Sequence, residues 1–456
     1  MVRVLSWLSN HGSVAIKSVH SRAHTGGTRT PLHRPAAPLP HRLVTLGNPS
    51  RCVRSVEQLK KVVDACPSLR LLHADCRTKG TGPDQLDLFT SDTALRPHKL
   101  VVHRASPLVA EAEASAEASS GSVLGAALQQ CKESLVELDT RNIHSDEATV
   151  ADVSSLVASS SQLRRLIVPG STAMRREGSM EDFAKALSAN EHLEELQLGC
   201  SCIGSRGADT IATAIGSHPN LRSLELQHNP LLDAGAASLG RALHNNRSLR
   251  HLAMPFTGLG DGGCAALALA LRHGSLLDTL DLSGNSVSAD GVQELCSALP
   301  HGAVTTLCLS ANNKIGPRGA IALAAALPET RVATLRLDGC ALGPTPCGRL
   351  AVALTRSAVA CLDLSANEIG DLGAWELAWR LPECAELREL RLAVNEIEED
   401  GASELLTGLL SSTSLTMLDL RGNRLDKDSS TTDELRATQR ANVHFQRSGY
   451  VLPTAD

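Results

Sequence analysis

From residue 193 onward the chain repeats itself. Leu193, Leu221, Leu249, Leu277, Val304, Val332, Val359, Leu387 and Leu415 each open the string L-x-x-L-x-L-x-x-N-x-L, at intervals of 27–28 residues. The second and third apolar slots read Leu224 and Leu226, then Leu280 and Leu282, then Leu390 and Leu392, and Met254 is the one third-slot exception. The ninth slot holds Asn229, Asn285, Asn312, Asn367, Asn395 and Asn423, with Ser201, Thr257 and Cys340 as substitutes. A unit of this size cannot bury its apolar face alone, so neighbours must stack into one continuous core. Of the two ways to use 456 residues, several ordinary domains or one long array, the spacing selects the array.

Each unit has two halves with different periods. The L-x-L alternation puts two apolar side chains on one face of a short strand. Near the fifteenth position comes a glycine (Gly207, Gly235, Gly263, Gly291, Gly319, Gly373 and Gly401), followed by apolar residues at helical spacing such as Leu239 with Leu243 and Leu295 with Leu299. Strand and helix then share one core layer per repeat. The asparagine stands where the chain leaves the strand. There its amide can satisfy backbone groups that no ladder reaches, and a stack of such amides would tie each repeat to the next.

These residues resemble the leucine-rich-repeat family, and the 28-residue strand–helix unit resembles its ribonuclease-inhibitor-like subclass. The close match covers residues 193–425. The fold expected is an α/β leucine-rich-repeat solenoid, a curved horseshoe with parallel strands on the concave side and helices on the convex side. Strands stack about 4.8 Å apart whereas helices need roughly 8–10 Å, and the mismatch calls for curvature of roughly 20–30° per repeat. Such an array offers an extended concave surface rather than an enclosed pocket. The family serves inhibitors, receptors, scaffolds and GTPase activators alike, so the resemblance implies little about function.

Looser units precede the regular ones: Leu163, Leu166 and Val168 with Phe183 and Leu187, and Leu135 and Leu138 with Val153 and Val157. A first degenerate strand is expected at Leu69 and Leu72, after an amphipathic stretch from Val56 to Val63. The organisation read from these patterns is a basic leader (1–54), a degenerate N-terminal repeat or cap (55–134), divergent repeats (135–192), regular repeats (193–425) and a C-terminal cap (426–456). Residues 77–122 are expected to interrupt the repeat, because the tract around Ala110 to Ser122 is acidic and of low complexity. In the cap, Thr432 to Arg440 can form a helix and Val443 to Phe445 a final edge strand.

Composition adds boundaries. Aromatic residues are 2% of the chain against 42% hydrophobic, which suits a core of Leu, Ala and Val buried in the same way again and again. Residues 1–56 hold eight Lys and Arg and no acid; subtracting them from the net charge of −5 leaves about −13 for residues 57–456. An acidic body is a poor generic binder of phosphate backbones and tolerates basic protein partners better. No stretch approaches the length of an apolar membrane span. The 13 cysteines are scattered and odd in number, which fits buried free thiols in a reducing compartment.

Residues 1–54, rich in Arg, Ser, His and Pro, have the composition of a mitochondrial transit peptide, with Val4, Leu5 and Leu8 on one side of a short amphipathic start. The alternative is a basic tail in the cytosol.

Chemistry finds few footholds. Glu225, Asp281, Asp363 and Asp419 share the fifth repeat position, between the strand leucines, and could in principle do acid–base work. Their recurrence along a solvated strand face, in a row with Ala253, Cys308, Arg336 and Arg391, reads instead as an acidic stripe for recognition or plain solubility. Cys200 and Cys202 lack the further ligands that zinc requires, and Cys340 fills an asparagine slot. Neither a phosphate-binding glycine loop nor a cofactor motif is present. Two aromatic features stand out. Phe256 occupies the eighth position, a concave slot held elsewhere by Gly, Ala, Cys, His or Val, with His228 as its counterpart one repeat earlier and His251 on the same strand. On the convex side, Trp375 and Trp379 lie four apart in one helix and share a side of it.

The reading is a non-enzymatic scaffold or assembly factor that holds a protein partner on its concave face, in a mitochondrial complex, with a convex contact at the tryptophans. A rival is a GTPase-activating regulator, because the Ran GTPase activators share this repeat type. Their strongly acidic tail is missing here, since residues 426–456 carry five acids against four Lys or Arg. A third reading, RNA association, would have to use the basic leader. If the leader is a transit segment, N-terminal sequencing of the native protein will find a mature start within or just after residues 1–54. A cytosolic form beginning at Met1 or Val2 would contradict it.

Overall fold

The structure, a computed structural model, describes residues 128–129, 132–142 and 146–426, and the backbone of the strands Ile16–Lys17, Thr45–Leu46, Leu71–Asp75, Lys99–His103 and Asn442–His444. The leader otherwise lies outside the described residues, as do the low-complexity tract and the helix expected at 432–440. The chain forms two compact units, Met1–Ala173 with Lys185–Glu195, and Met174–Ala184 with Leu196–Asp456.

In the first unit the strands Leu71–Asp75, Lys99–His103, Glu137–Asn142 and Arg165–Ile167 run parallel, with Leu72, Leu100, Leu138 and Leu166 in one line. The strand Lys99–His103 falls inside the segment expected to interrupt the repeat. A strand in register with the repeat ladder therefore stands within the segment where a loop was expected. Helix Glu147–Ser159 starts on Asp146, whose carboxylate accepts from Thr149 N at 2.8 Å, and buries Val150, Val153, Leu156 and Val157, while Leu138, Leu163 and Leu166 are buried as well.

In the second unit eight strands from Ser223–Glu225 to Met417–Asp419 pair in parallel, residue for residue, and Asn442–His444 adds to the last. Leu224, Leu252, Leu280, Leu307, Leu335, Leu362, Leu390 and Leu418 form one fully buried row. Each strand is three residues long because the backbone turns soon after. The eighth position is left-handed in every regular unit from Cys200 to Gly422, with φ between 53° and 73°. His228, Phe256 and Val394 take this conformation without being glycine, at a cost of roughly 1–2 kcal/mol each. The turn keeps the ladder running, since residues six and eight still donate to the next unit, as in Leu226 N to Ala253 O (2.8 Å) and Phe256 N to Ser283 O (2.9 Å).

The asparagines close the gap that this turn opens. Asn367 is fully buried; its Oδ1 accepts from Cys340 N (2.9 Å) and Leu342 N (3.3 Å) of the preceding unit. Its Nδ2 donates to Leu337 O of that unit (2.8 Å) and to its own Leu364 O (2.9 Å). Asn229, Asn285, Asn312 and Asn423 make the same four-bond bridge. Cys340 keeps only the donor half, Sγ to Leu309 O at 3.2 Å.

Helix starts are tied to their neighbours too. Asp233, at the start of helix Leu232–Asn245, accepts from Gly260 N (2.6 Å) and Gly263 N (2.9 Å) at the start of the next helix, Asp261–Arg272. Asp261 does the same for Ser288 N and Gly291 N. A carboxylate there satisfies orphan amides and favours the positive end of the helix dipole. The repeat glycine follows from this contact: a Cβ on Gly263 would lie 3.0 Å from Asp233 Oδ1 and 2.6 Å from Leu259 Cγ.

Truncating Asn367 to Ala strands the buried N–H groups of Cys340 and Leu342 and the Leu337 carbonyl at once, while Leu364 O keeps its bond from Asn395 Nδ2. Asn367→Ala is expected to lower unfolding free energy by about 3–5 kcal/mol in denaturant melts. A loss of about 1 kcal/mol or less would show that the amide ladder does not hold the repeats together.

Candidate functional site

Between the buried strand leucines, one side chain per unit points to the opposite face of the sheet. In register these are Glu225, Ala253, Asp281, Cys308, Arg336, Asp363, Arg391 and Asp419. The solvated acidic stripe expected along this row is not what forms. Glu225 is half-buried and accepts from Gln197 Nε2 at 3.0 Å; Asp281, also half-buried, accepts from Ser283 N and Oγ at 2.9 and 2.6 Å. Asp363 and Asp419, at 6% and 2% exposure, are buried beneath arginines. Arg421 grips Asp419 through Nε at 2.8 Å and Nη2 at 2.6 Å, and Arg391 Nη1 stands 3.7 Å from Asp363 Oδ2.

The arginines stay half in water, with side-chain exposures of 44% for Arg336, 35% for Arg391 and 40% for Arg421. Together with the two aspartates they line a hollow of about 280 Å³, whose remaining wall is Ser365, Ala393 and Met417. Carboxylates sit at its base and guanidinium groups at its mouth. Burial pushes the Asp363 carboxyl above the usual carboxylate range, and its hydrogen bonds from Ser365 offset only part of that.

Farther along the strand face, His228 and Phe256 stack ring on ring, with centroids 4.7 Å apart and planes within 3°. Phe256 is 37% exposed and His228 is exposed. The ring of Phe256 lies over Gly284, where a Cβ would collide with it, so a glycine one unit on makes the flat placement possible. His251 is half-buried at the start of the Phe256 strand and joins none of the ring contacts among the described residues.

On the helix face, Trp375 and Trp379 are 44% and 66% exposed, with ring centroids 6.1 Å apart. Leu372, one turn earlier, is 62% exposed, and Val352 fills on helix Cys347–Leu354 the slot that Trp379 fills on Gly370–Arg380. The apolar stripe is thus wider than the tryptophan pair.

Burial disfavours ionisation of seven of the described thiols. Burial pushes Cys264, Cys296, Cys340 and Cys347 up to about 12, and Cys308, Cys361 and Cys384 to about 11. Cys200 and Cys202 are exposed and free. Among the described residues, no group of three His, Cys, Asp or Glu could hold a metal ion. Nor is any described helix long and apolar enough to cross a membrane.

A family profile described as Leucine Rich repeat matches residues 189–212, 217–240, 245–268, 275–296, 304–324 and 360–378. Those segments are six leucine-rich repeats. A chain from the crystal structure of the Rad7 and Elc1 complex in yeast superposes with a TM-score of 0.51 at 16% identity, covering 85% of this chain and 87% of that one. At that identity the likeness shows the fold alone. No curated protein is similar to the sequence. The profile passes over the units opened by Val332, Leu387 and Leu415, yet their strands stand in the same register as the rest. The leucine-rich repeats here also use a second set of side-chain bridges that the repeat pattern did not bring out. Asn246 donates to Ile215 O (2.6 Å) and accepts from Ser248 N and Leu249 N (2.9 and 2.7 Å), and His218 caps Leu221 N in the same place. The slot varies among Asn, His, Ser and Thr, which hides it from a search for one residue type.

Asp363 also yields a sign. Its folded pKa is raised, so its contribution to stability is present below the unfolded carboxylate value and lost as pH rises through the folded one. At pH 7 the buried charge is a cost, which the Ser365 hydrogen bonds and the Arg336 charge offset in part. Asp363→Asn is expected to raise the melting temperature at pH 7, with the gain shrinking as pH falls toward 4. A variant less stable at pH 7 and equal to the parent at pH 4 would reverse the assignment.

Proposed function

We propose that the chain is a non-enzymatic scaffold or assembly factor that holds a protein partner on the strand face of its repeats. The observation that carries this reading is the His228–Phe256 stack. An exposed aromatic in a left-handed backbone position costs stability twice, through strain and through apolar surface left in water. A rigid ring pair already ordered in the free chain loses little entropy on binding, which is how aromatic anchors of interfaces work. Glu225 and Asp281 flank the stack from the row below and suit a rim of polar contacts. The arginine pairing of Asp363 and Asp419 supports a recognition surface over acid–base chemistry, as does the poor reactivity of the buried thiols.

The exposed stripe of Leu372, Trp375 and Trp379 supplies a second contact on the helix face, and two faces are what a scaffold needs to bring proteins together. The repeat length and strand–helix alternation support the ribonuclease-inhibitor-like subclass. The mitochondrial setting rests on the acid-free basic leader.

Affinity capture through a C-terminal tag, with the leader left free, supplies the partner for the test. Phe256→Ala should weaken partner binding by about 1–3 kcal/mol while the melting temperature stays nearly constant. Binding should also reduce acrylamide quenching of Trp379. Unchanged affinity in Phe256→Ala would remove the strand-face anchor. Unchanged quenching in the complex would remove the helix-face contact.

A further inference from the structure

The strand-face hollow around Arg336, Arg391 and Arg421 was not expected from the acidic balance of the body, and its geometry is specific. Arg336, Asp363, Arg391 and Asp419 alternate in sign along four consecutive strands, at a spacing of about 4.8 Å per strand. Asp363 lies in register between Arg336 and Arg391, and Asp419 lies beside Arg391. The two carboxylates are nearly withdrawn from water, with side-chain exposures of 8% and 4%, and so expose little carboxylate oxygen to a ligand. The guanidinium groups project past them.

Their hydrogen-bonding capacity is not used up. Arg336 meets Asp338 at ion-pair distance only, 3.6 Å. Arg391 donates one hydrogen bond, from Nη2 to Glu389 Oε2 at 3.0 Å. A guanidinium carries five N–H donors in a planar fork, so both groups keep donors for an incoming acceptor. Met417 and Ala393 line the same wall, a surface for the aliphatic part of a side chain.

We propose that this hollow is a carboxylate subsite: it takes an Asp or Glu side chain from an acidic segment of the protein partner, held in a forked contact by Arg336 and Arg391. This deepens the strand-face reading and rests on it. A hollow of about 280 Å³ falls below the usual small-molecule pocket and holds roughly one or two side chains. The planar carboxylate matches the guanidinium fork. A nucleic-acid backbone fits less well, because a hollow that holds one or two side chains admits a carboxylate on a flexible stem but not a sugar–phosphate chain. Asp338 and Glu389 at the rim pair with the arginines and hold them in place without filling the hollow.

Fluorescence anisotropy with a labelled hexaglutamate peptide tests this on the full chain, with labelled hexalysine and a single-stranded RNA oligomer as the other probes. Hexaglutamate is expected to bind in a salt-sensitive way, and the other two to bind more weakly. Arg336→Gln and Arg391→Gln should each weaken hexaglutamate binding about tenfold, the size of one lost charge-assisted hydrogen bond. Asp363→Asn should strengthen it severalfold, since it removes negative charge from the base of the hollow. Arg206→Gln, which removes the same charge from an exposed helix position, should change nothing. The opposite signs at Arg391 and Asp363 separate recognition from mere loss of folding. The proposal is overturned by no hexaglutamate binding at millimolar peptide, by equal losses in all three arginine variants, or by tighter binding of RNA. Any of these results would leave capture of a native partner through Phe256 untouched, so the two readings fail separately.

Discussion

The buried asparagine amide is the interaction on which this architecture depends. Each unit must turn sharply after three strand residues, and the turn leaves backbone amides and carbonyls in the core without ladder partners. One side chain answers both needs, because an amide accepts two N–H groups and donates to two carbonyls in a single plane. Asn229, Asn285, Asn312, Asn367 and Asn423 do this between consecutive units. Cooperation between repeats therefore runs through polar bridges as well as through the leucine row. On the helix side, Asp233 and Asp261 add a parallel set of bridges at helix starts.

A face so constrained holds side chains at fixed spacing, and that spacing decides what the face can do. Residue-for-residue register puts Arg336, Asp363, Arg391 and Asp419 side by side although 27 or 28 residues separate each from the next. It also puts the ring of Phe256 on the backbone of Gly284 and under His228. Both features are preorganised by the backbone rather than by a loop that must close, which suits binding better than chemistry.

Much of this was legible in the sequence, and the gaps have physical causes. Leu224, Leu226 and Asn229 declare strand, core and bridge because repetition makes each slot visible nine times. Leu100 and Val102 do not declare their strand, since an acidic low-complexity tract follows them and breaks the period. The row containing Asp363 and Asp419 was read in the right register. Burial of those carboxylates depends on how far the neighbouring guanidinium groups fold back over them, which a repeat pattern does not encode. Arg421 in particular stands in a different row from Asp419, two residues on, and only the bend of its side chain brings them to 2.6 Å. The exposure of Trp375 and Trp379 followed from helix phase, whereas the added width from Leu372 and Val352 needed the neighbouring helix to be in place.

The central claim is that the strand face, ordered by the amide ladder, is where the partner sits. Hydroxyl-radical footprinting of the full chain, free and with its captured partner, tests it most directly. The account predicts that Phe256, His228 and Met417 lose reactivity in the complex, while Leu269 on the helix face far from the tryptophans stays as reactive as in the free chain. Protection confined to Leu372, Trp375 and Trp379, with Phe256 and Met417 unchanged, would contradict it.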